Sequence, residues 1–173
     1  MKDYLFSPIK SEFVSKCHKL NEQNVPNVGT KSLDGFINLV KNSDYNECIL
    51  INNEVVGYIV CFQDNENTIK YLHEIKHKNF NEIEHRVSNF LYIDRIAVDS
   101  QYRKSRLGTS LYENTLNFAK NNFIKHLTAE INLLPYVNEP SFKFHQSFGF
   151  NEIETIKYSR DYEVSLQKLS INS

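Results

Sequence analysis

The sequence predicts a mixed α/β fold in which a central sheet is covered by helices. In the first half of the chain, strand-like runs follow one another directly, which is typical of an antiparallel meander. In the second half, helical and strand-like patterns alternate. The 173 residues are 40% hydrophobic and suffice for one core, so we expect a single domain over 1–173 with a polar insertion at about 64–89.

Two amphipathic helices are predicted before the first strands. Ser7 is expected to cap the first helix, and Pro8 to stand at its first helical position. The apolar residues that then recur at helical spacing are Ile9, Phe13, Cys17 and Leu20. After the chain-breaking segment PNVGT, the second helix is expected to bury Leu33, Phe36, Ile37 and Val40.

A hairpin and the polar insertion are predicted next. The β-rich runs 45–52 and 54–62 meet at Asn52-Asn53, a pair of residues that favours a tight turn. Residues 64–89 are polar, charged and weakly periodic, so we expect an insertion with one helix there.

The second half of the chain is expected to alternate strands and helices. The expected elements are a strand over 90–98, a helix from 107, a strand over 126–133, a short helix within 138–149 and two strands over 151–159 and 162–170. Pro140 lies near the start of the short helix and Gly149 lies at its end, as helix boundaries favour.

Composition and charge narrow the classes of function. The net charge is −1, so no broad basic surface for duplex nucleic acid is expected. No apolar run approaches the roughly 20 residues of a membrane span, and the segment MKDYLFSPIK lacks the order of a signal peptide. Cys17, Cys48 and Cys61 are odd in number and widely spaced, which indicates reduced thiols. We therefore expect a cytoplasmic protein without a nucleic-acid or membrane partner.

Three cations precede the helix that is predicted from residue 107. The N-terminus of a helix is already electropositive, so Arg103, Lys104 and Arg106 indicate an anion at this place. Gly108 would let a phosphate or pyrophosphate approach the backbone, and Ser105 and Thr109 add hydroxyl groups. The alternative is a solvated basic loop before a core helix, and the spacing leaves both interpretations open.

This loop resembles the acetyl-CoA loop of the GCN5-related N-acetyltransferase (GNAT) superfamily, whose pattern is Gln/Arg-x-x-Gly-x-Gly/Ala after a strand that ends in Val. Arg103, Leu107 and Gly108 match the pattern, and Val98 ends the strand. Arg106 stands at the position of the first glycine, where a guanidinium can contact phosphate bidentately.

A second segment, NEPSFKFHQSFGF, is similar to the family pattern Asn-x-x-Ala-x-x-x-Tyr-x-x-x-Gly-Phe. The residues in register are Asn138, Ser141, His145, Gly149 and Phe150, with His145 at the position of the Tyr. The two segments stand in the family's order, and the chain resembles a group of bacterial predicted acetyltransferases. The resemblance implies the GNAT acyl-CoA N-acyltransferase fold, with a central, mostly antiparallel sheet flanked by helices.

The activity that the resemblance implies is transfer of acetyl from acetyl-CoA to a primary amine, by direct attack in a ternary complex and without a metal. An alkylamine with a pKa of about 10.4 must first lose a proton. Glu130 matches the position of a base in some family members, although an outward-facing charge or an ion pair is an equal alternative. Asp94 is a competing base, or else it pairs with Arg95 or with a residue of the insertion.

The remaining roles also follow from the resemblance. His145 would protonate the leaving thiolate, or it packs on Phe148 without titrating. Asn138 would bind the amides of the pantetheine arm. The backbone of the strand before the loop would pair with the same arm, as an added strand does. The expected cofactor-binding residues are Ile96, Ala97, Val98, Arg103, Lys104, Ser105, Arg106, Gly108, Thr109, Asn138 and Ser141.

Two other classes of function remain open at this stage. One is a non-catalytic module that binds and senses acyl-CoA. The other is a zinc peptidase, because His73-Glu74-x-x-His77 would put two imidazoles on one helix face. The lysine-rich flanks favour a charged surface helix over a zinc cleft. A homodimer is also an expectation, at the exposed edge of the last strand.

Overall fold

The computed structural model describes residues 4–171, so both ends of the predicted 1–173 domain lie outside the described residues. In chain order the elements are β1 (Leu5–Ser7), α1 (Ser11–Gln23), α2 (Leu33–Asn42), β2 (Tyr45–Ile51), β3 (Glu54–Gln63), α3 (Glu66–Glu74), α4 (Lys78–Glu84), β4 (Phe90–Val98), α5 (Leu107–Asn121), β5 (His126–Leu134), α6 (Glu139–Ser147), β6 (Asn151–Ser159) and β7 (Tyr162–Ser170).

The strands form one mixed sheet in the order β1-β2-β3-β4-β5-β7-β6. The pairs β1–β2, β2–β3, β5–β7 and β6–β7 are antiparallel, and β4–β5 is parallel. This confirms the predicted mixed, mostly antiparallel sheet with flanking helices. The chain divides into two compact units. The first unit consists of the residues up to Phe62 and of Ile93–Phe118, and the second of Gln63–Tyr92 and the residues from Ala119 onward.

The first unit contains the predicted hairpin. Asn52 and Asn53 join β2 to β3 with φ values of 51° and 64°, the left-handed conformation that tight hairpin turns require. Asparagine adopts this conformation more readily than most residues, because its side chain can hydrogen-bond locally. The hairpin prediction is therefore confirmed at the residues that suggested it.

The predicted start of α1 is wrong. Leu5–Ser7 forms β1, which pairs with Cys48–Leu50 of β2, and α1 begins only at Ser11 with Lys10 as its N-cap residue. Ser7 thus caps no helix. The backbone groups around Ser7 form hydrogen bonds with a strand more than forty positions away in the chain. Local sequence patterns do not predict such a pairing.

The second helix begins as predicted and buries a slightly different face. The Ser32 side chain accepts a hydrogen bond from the Gly35 N–H at 3.1 Å, which caps α2. Phe36 and Val40 are buried as expected, whereas Leu33 and Ile37 are exposed. The buried stripe includes Leu39 instead, so the helix is rotated relative to the predicted face.

The insertion forms two helices where one was expected. α3 ends at Glu74, and Lys76 adopts a left-handed φ of 54° in the turn that follows. His77 then caps α4, because its Nδ1 accepts a hydrogen bond from the Phe80 N–H at 3.2 Å. The short apolar faces of these helices bury Leu72, Phe80 and Ile83.

The last strand does not lie at the edge of the sheet. β7 lies between β5 and β6, which leaves β6 as the outer strand of the second unit. The expectation of a homodimer at the edge of the last strand is therefore wrong in its location. Either strand of the β6–β7 hairpin could pair with β5 and leave the other at the edge of the sheet. In this structure β7 pairs with β5, so β6 is the outer strand.

Candidate functional site

The basic loop before α5 has the predicted position. α5 begins at Leu107, and the four residues before it, Arg103, Lys104, Ser105 and Arg106, are all exposed. A 3₁₀ turn over Ser100–Tyr102 leads into the loop from β4. The helical spacing predicts an apolar stripe on α5 at Leu107, Leu111, Thr115, Phe118 and Ala119. All of these residues are buried except Phe118, which is half-buried. The helix is therefore anchored by its apolar face, while the cations at its start face solvent.

Two of these cations have a backbone conformation that favours glycine. Lys104 has a φ of 64° and Arg106 a φ of 65°. The left-handed region costs a residue with a Cβ about 1 kcal/mol or more. The Arg106 carbonyl nevertheless accepts the first hydrogen bond of α5, from the Ser110 N–H at 2.9 Å. Arg106 thus takes the glycine-type conformation at the position where the GNAT pattern has its first glycine.

Arg103 is held by a neighbouring helix end. Its Nη2 donates to Asn24 Oδ1 at 2.8 Å, and Asn24 Nδ2 donates to the Leu20 carbonyl at 2.8 Å. The Ser105 hydroxyl donates to the Tyr102 carbonyl within the loop. The side chain of Arg103 therefore has a defined direction.

The backbone of the predicted pantetheine strand lies close to β3. Ala97 is buried, and Ile96 and Val98 are half-buried. A Cβ added at Gly57 would come within 3.4 Å of the Ala97 carbonyl oxygen, so the absence of a side chain at Gly57 permits this approach. The Asp99 N–H donates to the Val56 carbonyl at 2.9 Å and fixes the end of β4.

Asp94 forms a buried ion pair. Its Oδ2 accepts from Arg95 Nε at 2.6 Å, and the two side chains are 2% and 5% exposed. Arg95 Nη1 also donates to Asn21 Oδ1 at 3.0 Å and to the Gly29 carbonyl at 3.2 Å. Tyr58 donates to the same Asn21 oxygen at 2.7 Å. The network fixes the segment that follows α1, because it includes the Gly29 carbonyl. Of the alternatives considered for Asp94, the structure has the one in which it pairs with Arg95.

Glu130, in the second unit, has a rigid tyrosine as its partner. Its carboxylate is half-buried on β5 and accepts from the Tyr92 hydroxyl at 2.6 Å. Tyr92 is fully buried, and its ring lies edge-on to those of His77 and Phe80, with centroids 5.5 Å and 5.8 Å away. The hydrogen bond therefore orients the carboxylate of Glu130.

Sequence reasoning missed Tyr92. In the parallel pair of β4 and β5, Tyr92 stands opposite Thr128, and Glu130 is two residues further along on the same face. Tyr92 could have been identified only from the register between β4 and β5. These strands are distant in sequence, so no local pattern of residues reveals that register.

His145 is 3% exposed on α6, and its surroundings favour the neutral ring. Burial lowers the pKa of His145, and its Nδ1 lies 2.8 Å from the Ser141 carbonyl oxygen. A carbonyl only accepts hydrogen bonds, so the Nδ1 atom of the neutral ring carries the proton. The ring packs against Phe150, with centroids 5.0 Å apart.

The predicted helix around His145 has the expected ends. Asn138 is the N-cap residue of α6, and its Oδ1 accepts from the Ser141 N–H at 3.3 Å. Pro140 lies in the first turn, and Gly149 has a φ of 89° just after the helix. The cap uses the amide oxygen of Asn138 and not its NH₂ group.

The zinc-peptidase pattern does not form the geometry that it needs. His73 lies on α3 and its Nε2 contacts Glu84 at 3.0 Å, whereas His77 caps a different helix. Within residues 4–171, no group of three or more His, Cys, Asp or Glu side chains is arranged to hold a metal ion. Across the same residues, no helix has the length and apolar character that crossing a membrane demands.

The chain belongs to the GNAT acetyltransferase family, since the model of that family matches residues 18–150. No curated protein sequence matches the chain.

Several solved structures share the fold. The ribosomal-protein-S18-alanine N-acetyltransferase from Escherichia coli is 15% identical, with a TM-score of 0.74 and coverage of 99% of this chain and 96% of that chain. Ard1 from Thermoplasma volcanium is 12% identical, with a TM-score of 0.77 and coverage of 98% and 99%. Arabidopsis thaliana Naa50, in complex with the bisubstrate analogue CoA-Ac-MVNAL, is 16% identical, with a TM-score of 0.71 and coverage of 96% and 98%.

Proposed function

We propose that the protein is an N-acetyltransferase that moves acetyl from acetyl-CoA to a primary amine by direct attack in a ternary complex. The observation that carries this proposal is the exposed basic loop before α5, in which Arg106, at the position of the family pattern's first glycine, has a left-handed conformation that glycine favours. Membership of the GNAT family supports the reaction class. The CoA-containing analogue bound to the Arabidopsis relative supports the cofactor.

We assign the pyrophosphate of acetyl-CoA to the basic loop and the first turn of α5. Free backbone N–H groups at a helix start bind phosphate oxygens, and Arg and Lys side chains add charge-assisted hydrogen bonds. The residues proposed for this role are Arg103, Lys104, Ser105, Arg106, Gly108 and Thr109. The pantetheine arm is assigned to the backbone of Ile96, Ala97 and Val98 and to the side chains of Asn138 and Ser141.

Glu130 is our candidate for the general base. The acceptor nitrogen attacks the thioester carbonyl carbon, the C–S bond breaks, and the nitrogen's proton passes to the carboxylate. The hydrogen bond from Tyr92 holds that carboxylate in one orientation. Asp94 was the competing candidate, and its buried ion pair with Arg95 supports a structural role for it instead.

The role of His145 stays a prediction. An imidazole can protonate the CoA thiolate only from its charged form, and burial disfavours that form by lowering the pKa. His145→Phe distinguishes the alternatives: loss of turnover with unchanged acetyl-CoA affinity would support proton donation. Equal loss of affinity and thermal stability would support a packing role on α6.

The same histidine favours a second candidate function, a module that senses acyl-CoA without transferring it. A buried, neutral His145 stands where the family pattern has a proton-donating Tyr. Such a module would bind acetyl-CoA with the same residues and release no CoA.

The first test is calorimetric titration with acetyl-CoA in the presence of EDTA. We expect micromolar binding at one site, abolished by Gly108→Trp and unchanged by Lys120→Gln, a matched cation change in the last turn of α5. CoA release is then followed with a panel of primary amines. Binding with release supports the transferase, binding without release supports the sensing module, and no binding contradicts both.

We also propose a domain organisation, a cellular location and a subgroup of the family for the protein. The family model spans residues of both compact units, which supports one acetyltransferase domain over 1–173 with an insertion at 64–89. All three cysteines are buried and free, which supports a reducing, cytoplasmic location. Placement in the bacterial group of predicted acetyltransferases rests on the resemblance of the two motifs.

A further inference from the structure

A cluster of polar aromatic residues lies where the insertion meets the last hairpin, within the second unit. The rings of Tyr158 and Tyr162 stack with centroids 5.2 Å apart and an interplanar angle of 22°. Tyr158 is the extra residue of a β-bulge, because the register passes from Lys157–Glu163 to Ser159–Tyr162. Bulges re-aim a side chain and are over-represented next to active sites.

α4 contributes Asn79 to this cluster. Asn79 is 6% exposed, and its Nδ2 donates to the Tyr162 hydroxyl at 3.1 Å. Among the residues that the structure describes, none donates to the Asn79 carbonyl oxygen. Turning the amide over would pair that oxygen with Tyr162 and leave the NH₂ group unpaired. One polar group of Asn79 is therefore buried without a partner in either orientation.

The Tyr158 hydroxyl shares this condition. It is buried, and no partner for it is found within residues 4–171. A buried polar group without a hydrogen bond costs free energy, so such groups mark a place that a ligand or an ordered water occupies. Two of them contact Tyr162, Asn79 through its hydroxyl and Tyr158 through its ring, and the three residues Asn79, Tyr158 and Tyr162 are what we call the Asn79 cluster.

Charged groups of both signs lie near the cluster. Burial raises the pKa of Tyr158 most, the charges of Glu82, Tyr162 and Glu130 raise it further, and Arg86, which pairs with Glu82, lowers it. An alkylammonium is already present: Lys78 Nζ lies over the Tyr158 ring, 5.6 Å from its centroid. Lys78 is exposed, so its side chain can leave the ring when another ammonium group arrives.

We propose that the Asn79 cluster binds a second alkylammonium group of the acceptor, distinct from the amine that is acetylated. The inference rests on the proposed acetyl transfer and names the class of acceptor, an aliphatic diamine. The reacting amine must lose its proton, whereas an aromatic face and neutral oxygen acceptors stabilise an ammonium that keeps its proton. A diamine satisfies both conditions, with one end at Glu130 and the other at the cluster.

The test compares two substrates that differ only in the second ammonium group. Putrescine and butylamine are acetylated by the wild type, Tyr158→Phe and Asn79→Leu, and kcat/KM is measured for each pair. We expect the wild type to prefer putrescine by roughly tenfold, and both variants to lose most of that preference through a higher KM for putrescine.

Asn81→Leu is the matched control. Asn81 is half-buried on the same helix, two positions along and therefore on nearly the opposite face from Asn79. Its side-chain oxygen also lacks a partner among the described residues, so the control separates the place of the cluster from the mere loss of an unpartnered amide. The preference for putrescine should survive in this variant. Thermal melting completes the comparison: Tyr158→Phe removes a hydroxyl without a partner, so a lost preference at an undiminished Tm reports ligand binding and not damage to the fold.

Calorimetric titration with putrescine separates this inference from the proposed function. Equal use of putrescine and butylamine by the wild type, or an unchanged preference in both variants, overturns the inference. Acetylation of a peptide amine, together with no binding of putrescine, overturns the diamine and leaves acetyl transfer standing. Failure of acetyl-CoA to bind overturns the proposed function, and putrescine binding that Tyr158→Phe weakens would still support the cluster.

Discussion

Two groups of buried polar residues, one in each compact unit, differ in how far their hydrogen bonds are satisfied. In the first unit, Asp94, Arg95, Asn21 and Tyr58 form a closed network that also binds the Gly29 carbonyl. In the second unit, the Asn79 cluster leaves polar atoms without partners among the described residues. A satisfied network stabilises one conformation, whereas an unsatisfied cluster lowers stability until something binds. The comparison therefore separates side chains that hold the fold from side chains for which we propose a ligand.

The largest expected effect is on the closed network. Arg95→Met removes the cation that forms the buried ion pair with Asp94, so the free energy of unfolding should fall by about 3–5 kcal/mol. Urea denaturation measures the loss. Arg86→Met is the control, because Arg86 bridges Glu82 and Glu154 at the surface and should cost much less. Similar losses in the two variants would contradict the structural role of the network.

The next effect concerns the candidate base. Glu130→Gln keeps an acceptor for the Tyr92 hydroxyl but removes the carboxylate, so kcat for acetyl transfer should fall by about a hundredfold at neutral pH. Acetyl-CoA affinity, measured by calorimetry, should not change. Glu163→Gln, on β7, supplies a carboxylate control with normal kcat. The assignment of the base fails if Glu130→Gln turns over normally.

Two hydroxyl deletions test the comparison directly. Tyr58→Phe removes a buried hydroxyl that donates to Asn21 at 2.7 Å, and should cost about 1–2 kcal/mol of unfolding free energy. Tyr158→Phe removes a hydroxyl without a described partner, and should cost nothing or stabilise the protein slightly. Chemical denaturation of both variants gives the answer. A destabilised Tyr158→Phe would mean that this hydroxyl belongs to the fold.

The smallest effect is expected in the basic loop. Glycine adopts the φ of 65° at Arg106 without steric cost, so Arg106→Gly should raise the unfolding free energy by up to about 1 kcal/mol. The same change removes a guanidinium from the proposed pyrophosphate site and should weaken acetyl-CoA binding, most visibly at low salt. Lys76→Gly is the backbone-matched control, because Lys76 has a φ of 54° and lies outside the proposed site. Tighter binding by Arg106→Gly would show that the arginine obstructs the loop.

Local features of the site were predictable because their causes are local. Asn138 and Gly149 bound α6 through capping geometry that depends on a few neighbouring residues. The start of α5 at Leu107 follows from its apolar stripe. The start of α1 was not predictable, since strand pairing of Leu5–Ser7 outweighed the capping preference of Ser7.

The sequence by itself determined the mixed α/β class, the order of the two segments that resemble the family's patterns and the turn at Asn52-Asn53, because periodicity and backbone preference act within a few residues. Only the tertiary structure decided that Asp94 pairs with Arg95, that Tyr92 orients Glu130 and that β6 is the outer strand. Each of these depends on which of several strand registers and side-chain partners gives the lowest free energy. That choice is made by contacts between residues far apart in the chain, where burial makes a missing partner costly.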